Sequence, residues 1–155
     1  MTPKQVVLAL YKAYATRDAD EIARWLDDDV VWVAPAGNAT QVALGLGEAG
    51  DAGPPRGAND LDKAAIIDFM TRDFGRLFGD VRNDIHTIVD AGDHVVVESR
   101  LSAALAHGRP YLNDYCFVYR VAGQRVAAIR EYMDSRGAWV QMFGDAPGGP
   151  LVAPR

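Results

Sequence analysis

The chain is expected to be an α+β domain, a cone-shaped, curved antiparallel sheet wrapped around N-terminal and middle helices. Three observations predict it. Residues 94–134 hold three runs rich in Val, Tyr and Phe, separated by His107-Gly108-Arg109-Pro110 and Ala122-Gly123-Gln124, the pattern of long strands joined by turns. Residues 3–16 and 61–78 carry apolar side chains at helical spacing. The order of elements is helix, helix, strand, helix and then four strands in a row, so one face of the sheet must be covered by helices.

Each element has a local cause. Thr2 is a plausible N-cap with Pro3 at the first helical position, and Val6, Val7, Leu10, Tyr11 and Tyr14 recur on one face. Arg17-Asp18-Ala19-Asp20 breaks that helix, and a short second one carries Ile22, Trp25 and Leu26. Asp27-Asp28-Asp29 reads as a solvated acidic turn; three adjacent carboxylates cannot converge on a hard cation, and no glycine-spaced loop follows them. Val30-Val31-Trp32-Val33-Ala34 is a strand that Pro35 ends. Residues 36–58, rich in Gly, Ala and Pro, contain no clear element and are expected to form a flexible flap near a pocket mouth. Asp60 caps a helix over 61–78, whose buried side carries Leu61, Ala65, Ile66, Phe69, Met70, Phe74 and Leu77. A strand over 82–90, with His86 inside it, leads into the meander of 93–106, 109–121 and 124–134. Residues 134–143 form a closing helix, with Asp134 placed to cap it. One domain thus spans 1–144, and 145–155 is a Gly/Pro-rich tail expected to fray.

Composition narrows the function. A chain of 155 residues with 49% hydrophobic and 24% charged residues can bury a full core as a single domain. Its net charge of -5 argues against a nucleic-acid surface. No signal peptide precedes the first helix, and no apolar stretch is long enough to cross a membrane. The lone cysteine, Cys116, excludes an intramolecular disulfide and fits a reducing cytoplasm. The glycines of 36–58 lack the following Lys-Ser or Lys-Thr of a phosphate loop, and no metal, flavin or nucleotide signature occurs, so no cofactor is expected.

Strand alternation locates a candidate site. On the last strand Ala127, Ile129, Glu131 and Met133 share a row, and Glu131 is its only charge. Glu98, Arg100 and Ser102 share a row on the first strand of the meander, as do Asn113, Tyr115, Phe117 and Tyr119 on the middle one. If these rows face the same concave side, Arg100 and two glutamates line one polar spot in an apolar cup. Cys116 falls on the opposite row and reads as packing, and His86 reads as a hydrogen-bonded neighbour of the core. Burial raises a carboxyl pKa unless a cation restores it. Glu131 is therefore the expected acid/base, with Arg100, Tyr115 and Asn113 as polarisers and Glu98 orienting Arg100 or meeting substrate. Phe117, Met133 and Trp32 complete the substrate wall.

The chain also resembles the nuclear-transport-factor-2-like superfamily in its SnoaL-like branch, which holds polyketide cyclases beside ketosteroid isomerases and limonene-epoxide hydrolases. The resemblance rests on Val30-Val31-Trp32, on Gly57 leading into 66–69, on Gly108-Arg109-Pro110-Tyr111-Leu112-Asn113-Asp114-Tyr115 and on Ile129-Arg130-Glu131-Tyr132-Met133-Asp134. It implies a cone with an apolar pocket. Against the epoxide hydrolases, Arg100 and Glu131 fall at the arginine and the water-activating carboxylate. Ser102 replaces the second aspartate, and Val31 and Val33 fall where the water-holding tyrosine and asparagine would be. Against the isomerases, Ala34 precedes Pro35 where the base aspartate would stand, and Tyr115 or Cys116 falls at the oxyanion-hole carboxyl. Neither activity can be assigned by inheritance, and an epoxide hydrolase stays a second alternative.

The expected function is a cofactor-independent enzyme of isomerase, cyclase or hydrolase type, acting on a small apolar or polyketide-like ligand. Two other readings fit the same residues: a binding protein without chemistry, and a scaffold in which Glu98, Arg100 and Glu131 form a cross-strand ion-pair network worth roughly 0.2–1 kcal/mol per pair. Tyr132, Val118 and Val126 on the outer rows are expected to pair two copies into a homodimer.

Overall fold

The computed structural model describes residues 1–46 and 60–153. α1 (Pro3–Thr16) opens with a capping box, in which the Thr2 side chain accepts from Gln5 N and the Gln5 side chain accepts from Thr2 N. Arg17 closes it in the left-handed region, at φ 56°. α2 (Ala19–Trp25) is capped by Asp18 and passes directly into β1 (Leu26–Val33). The expected acidic turn is therefore the start of a strand. It is held there because Lys63 Nζ bridges the Leu26 carbonyl at 3.0 Å and Asp28 at 2.7 Å.

The middle helix begins later than Asp60. Leu61 pairs with Trp32 through both backbone groups, at 2.8 and 2.9 Å, so it is held extended and Asp62 becomes the cap. α4 (Lys63–Asp68), a π-helical turn (Phe69–Asp73) and α5 (Phe74–Leu77) then form one rod. Ile66, Met70 and Leu77 are buried along it. The chain turns at once into β2 (Phe78–Ala91), then β3 (His94–Leu105), β4 (Pro110–Ala122), β5 (Arg125–Met133) and α6 (Ser135–Phe143).

The five strands form one curved, open sheet in the order β1-β5-β4-β3-β2. The meander is antiparallel as expected, but β1 lies parallel to β5. Parallel pairing needs a long crossover rather than a hairpin, and the middle helix with β2 to β4 supplies it. Two clusters fill the concave side. One joins Val6, Leu10, Ile22, Trp32 and Ile66 to Val95, Val97, Tyr119 and Ile129. The other joins Leu77, Phe78, Leu101, Leu105 and Tyr111 to Ala138 and Met142. Fully burying each aliphatic side chain contributes roughly 1.5–3 kcal/mol.

Two expected loose segments are partly ordered. Asn38 caps α3 (Ala39–Ala43), whose side chains at Ala39, Val42 and Ala43 are buried. The tail expected to fray makes contacts up to residue 153: Leu151 N donates to the Ala43 carbonyl at 2.7 Å, and Leu151 and Val152 pack on the second cluster. The remainder of the expected flap, 47–58, lies outside the described residues.

Candidate active site

Register decides which side chains meet. Three rows cross the concave face: Val95–Tyr119–Ile129, Val97–Phe117–Glu131 and Ser99–Tyr115–Met133. Asn113 lies opposite Leu101 on the same side. Tyr115, Phe117 and Glu131 therefore share a face, as the alternation predicted.

Arg100 and Glu98 do not. Both are exposed on the convex face, flanking buried Ser99. Arg100 donates through Nε and Nη2 to Asp114 at 2.6 and 2.9 Å, a bidentate surface pair between directly opposed residues. Asp114 is held below the usual carboxylate range by Arg100. Glu98 lies opposite Cys116, whose thiol is pushed up by burial and by Glu98. The expected Glu98–Arg100–Glu131 cluster is thus corrected: relative parity on separate strands cannot be read without register, and the register sets β3 one residue from the alignment assumed. His86 is skipped in the pairing between Ile85–Ser99 and Thr87–Glu98, and it faces Asp114 rather than the concave side.

What surrounds Glu131 is aromatic. A cavity of about 940 Å³ lies between α1, the middle helix and the sheet. Glu131 lines it beside Trp32, Phe69 and Phe117. Trp32 packs edge-on against Phe69 and Phe117, at centroid separations of 5.8 and 6.0 Å. Its indole Nε1 donates to Glu131 Oε2 at 2.9 Å. Along β4 the rings of Tyr115, Phe117 and Tyr119 stack at 5.8 and 5.9 Å, making a flat wall.

The electrostatics follow from this. Burial pushes the Glu131 carboxyl up to about 7, and the Trp32 hydrogen bond opposes the shift only in part. Among the described residues no cation contributes to the shift. The neighbours that feel its charge are four tyrosines: Tyr11, pushed up to about 12 by burial, Tyr111, likewise about 12, and Tyr115 and Tyr119, both raised well above the ordinary phenol. Their hydroxyls pair with each other, Tyr11 with Tyr119 at 3.0 Å and Tyr111 with Tyr115 at 2.7 Å. Glu131 is then a carboxyl that exchanges its proton near neutrality inside an apolar wall of neutral donors.

The other expected wall residues divide. Trp32 and Phe117 line the cavity. Met133 faces the concave side but packs into the second cluster, and Asn113 is 3% exposed behind the tyrosine pair. Sequence reasoning missed Tyr11 and Tyr14 on α1 and Ser99 on β3, all of which line the cavity. Two phenols three residues apart on an otherwise apolar helix face were the available signal. Among the described residues no group of three or more His, Cys, Asp or Glu is placed to hold a metal ion, and no helix is long and apolar enough to cross a membrane.

The SnoaL-like domain family matches residues 7–129. No curated protein matches the chain. Among solved structures, it is similar to a nuclear-transport-factor-2-like protein of Burkholderia thailandensis E264, at 19% identity and a TM-score of 0.72, over 92% of this chain and 98% of that one. It is similar to IdmH of Streptomyces antibioticus, provisionally assigned as a polyketide cyclase, at 18% identity and 0.69, over 91% and 98%. TerC, co-crystallised with polyporic acid, matches at 20% identity and 0.70, over 90% and 97%. At these identities the likeness shows the fold alone.

Proposed function

The chain belongs to the SnoaL-like domain family, and from that premise we propose that it is a cofactor-independent acid–base enzyme acting on a flat, apolar carbonyl compound of polyketide type. One observation carries the reading: Glu131 is a half-buried carboxyl on the wall of an aromatic cavity, and desolvation there pushes its pKa up to about 7. A group poised there is both an effective base and an effective acid at neutral pH.

The chemistry this supports is proton transfer next to a carbonyl. The Glu131 carboxylate takes a proton from the carbon α to the carbonyl. The C–H electron pair moves into an enolate, whose oxygen carries the charge. The Glu131 carboxyl then returns the proton to another carbon, giving an isomer, or to the oxygen formed when the enolate carbon attacks a second carbonyl, closing a ring. Trp32 holds Glu131 Oε2 and so fixes the direction of the other oxygen. The stacked wall of Tyr115, Phe117 and Tyr119 suits a planar substrate. The likeness to IdmH and TerC agrees with such a ligand. An epoxide-hydrolase role has less support, since Arg100 lies on the other face of the sheet and pairs with Asp114.

The test is a screen of carbonyl, epoxide and polyketide-like compounds against wild type and Glu131→Gln. Turnover in wild type should fall about 10²–10⁴-fold in Glu131→Gln, with ligand affinity little changed. Turnover that survives intact in Glu131→Gln removes Glu131 from the reaction. Binding without turnover in either protein favours a binding role for the cavity.

A further inference from the structure

Hydroxyl groups inside a protein almost always have a partner, because an unpaired buried hydroxyl costs free energy. Among the described residues, two hydroxyls on the cavity wall have none. Ser99 is 2% exposed, and its Oγ reaches no hydrogen-bond partner. The Tyr14 Oη is equally buried and equally unpaired. Both residues line the cavity that holds Glu131. Tyr11 and Tyr119, which also line it, satisfy one another, so an unpaired hydroxyl is not the rule on this wall.

Their positions are informative. Ser99 lies directly opposite Tyr115, at one end of the three-ring ladder on β4. Tyr14 meets Tyr11 edge-on at 6.4 Å, and Tyr11 meets Tyr119 at 6.0 Å, at the other end of the ladder. Phe117, the middle ring, is the register partner of Glu131. The carboxyl therefore stands between the two unpaired hydroxyls. Tyr115 and Tyr119 are four residues apart, which is roughly 13 Å by strand rise.

We infer that Ser99 and Tyr14 are specificity-determining residues that each donate to one of two oxygen atoms at opposite ends of an elongated, flat ligand, with the Glu131 carboxyl lying between them. This rests on the cavity being the ligand site, and it narrows the substrate class from carbonyl compounds in general to those with an oxygen function at both ends. A ligand with one oxygen leaves one buried hydroxyl unsatisfied, and the site discriminates against it for that reason.

The experiment measures binding by quenching of tryptophan fluorescence with three probes: 4,4′-diacetylbiphenyl, 4-acetylbiphenyl and biphenyl. Affinity for wild type should rise by roughly three- to tenfold with each acetyl group, the increment of one neutral hydrogen bond. Ser99→Ala and Tyr14→Phe should each erase one step, so that the diacetyl probe binds each variant as the monoacetyl probe binds wild type. The melting temperature of each ligand-free variant should equal or exceed that of wild type, because an unpaired hydroxyl has been removed. Equal affinities for the three probes, affinities unchanged in both variants, or a lowered melting temperature in both would overturn the inference; the last would mean that the hydroxyls are structurally paired. The outcome is separable from that of the catalytic reading. Stepwise binding with no turnover of any substrate would sink the acid–base role and leave this inference standing, and turnover with a flat affinity series would do the opposite.

Discussion

At the scale of single residues, Glu131 dominates because its proton is coupled to folding. Its folded pKa of about 7 lies above the ordinary 4.5. Between those values the folded state holds a proton that the unfolded state has lost, so stability falls as pH rises. The favourable contribution is complete below about pH 4.5 and is lost as pH passes through about 7, a change of about 3 kcal/mol. Glu131→Gln cannot titrate and can keep the Trp32 hydrogen bond. Urea denaturation should therefore find the variant close to wild type at pH 5 and more stable at pH 8, by up to about 3 kcal/mol. The opposite sign would be expected of an ion pair with Arg100, which the strand register rules out. A variant less stable than wild type at pH 8 would show that an unrecognised cation stabilises the carboxylate.

At the scale of elements, caps and irregularities in pairing set where side chains point. Asp134 caps α6 by accepting from Gly137 N at 2.8 Å. Gly137 lies so close to the Asp134 carboxyl that a side chain at 137 would collide with it. The cap stands where β5 ends, three residues beyond Glu131. Asp134→Ala should cost about 0.5–2 kcal/mol while turnover per folded molecule stays unchanged; loss of turnover at unaltered melting temperature would move Asp134 into the site. On β5 itself, pairing passes from Arg120–Ala128 to Val121–Val126, leaving Ala127 as an extra residue. The bulge turns Val126 inward, where it is fully buried. Val126 is thus core, and the outer patch expected to pair two copies loses it.

At the scale of the whole molecule, the helices among the described residues pack on the concave face. The convex face presents Tyr132 at 49% exposure and Val89 at 49%; Val89 opens a row with the half-buried Val96 and Val118 that ends at Arg130, and Tyr132 stands in the next row opposite Cys116. The same face carries both signs of charge, Arg100 and Arg130 with Glu98 and Asp114, so a second copy can set its cations against these anions across a two-fold axis. The occupant expected on this face is therefore a second copy of the chain. Light scattering at micromolar concentration should give twice the chain's mass, and Tyr132→Arg should return it to one. A monomeric mass for wild type would leave the apolar row without that partner.

Much of the molecule was legible from local rules. Helix starts at Thr2 and Asp134, the turns of the meander and the inward row of Tyr115, Phe117 and Glu131 follow from capping chemistry and from the two-residue period of a strand. These depend on neighbours within a few positions, so the chain alone determines them, and with them the fold class. Position across strands is different. Register flips every side chain of a strand when it slips by one residue, and the bulges at His86 and Ala127 reset parity within a strand. Arg100 therefore had an inward reading until pairing with β4 set it beside Asp114 on the outside. Similarly, Leu61 loses its helix to a backbone pair with Trp32, a residue 29 positions earlier. The proton affinity of Glu131 and the unpaired hydroxyls of Tyr14 and Ser99 belong to the same category. They arise from what the surrounding elements exclude and fail to supply, and only the packed tertiary structure decides that.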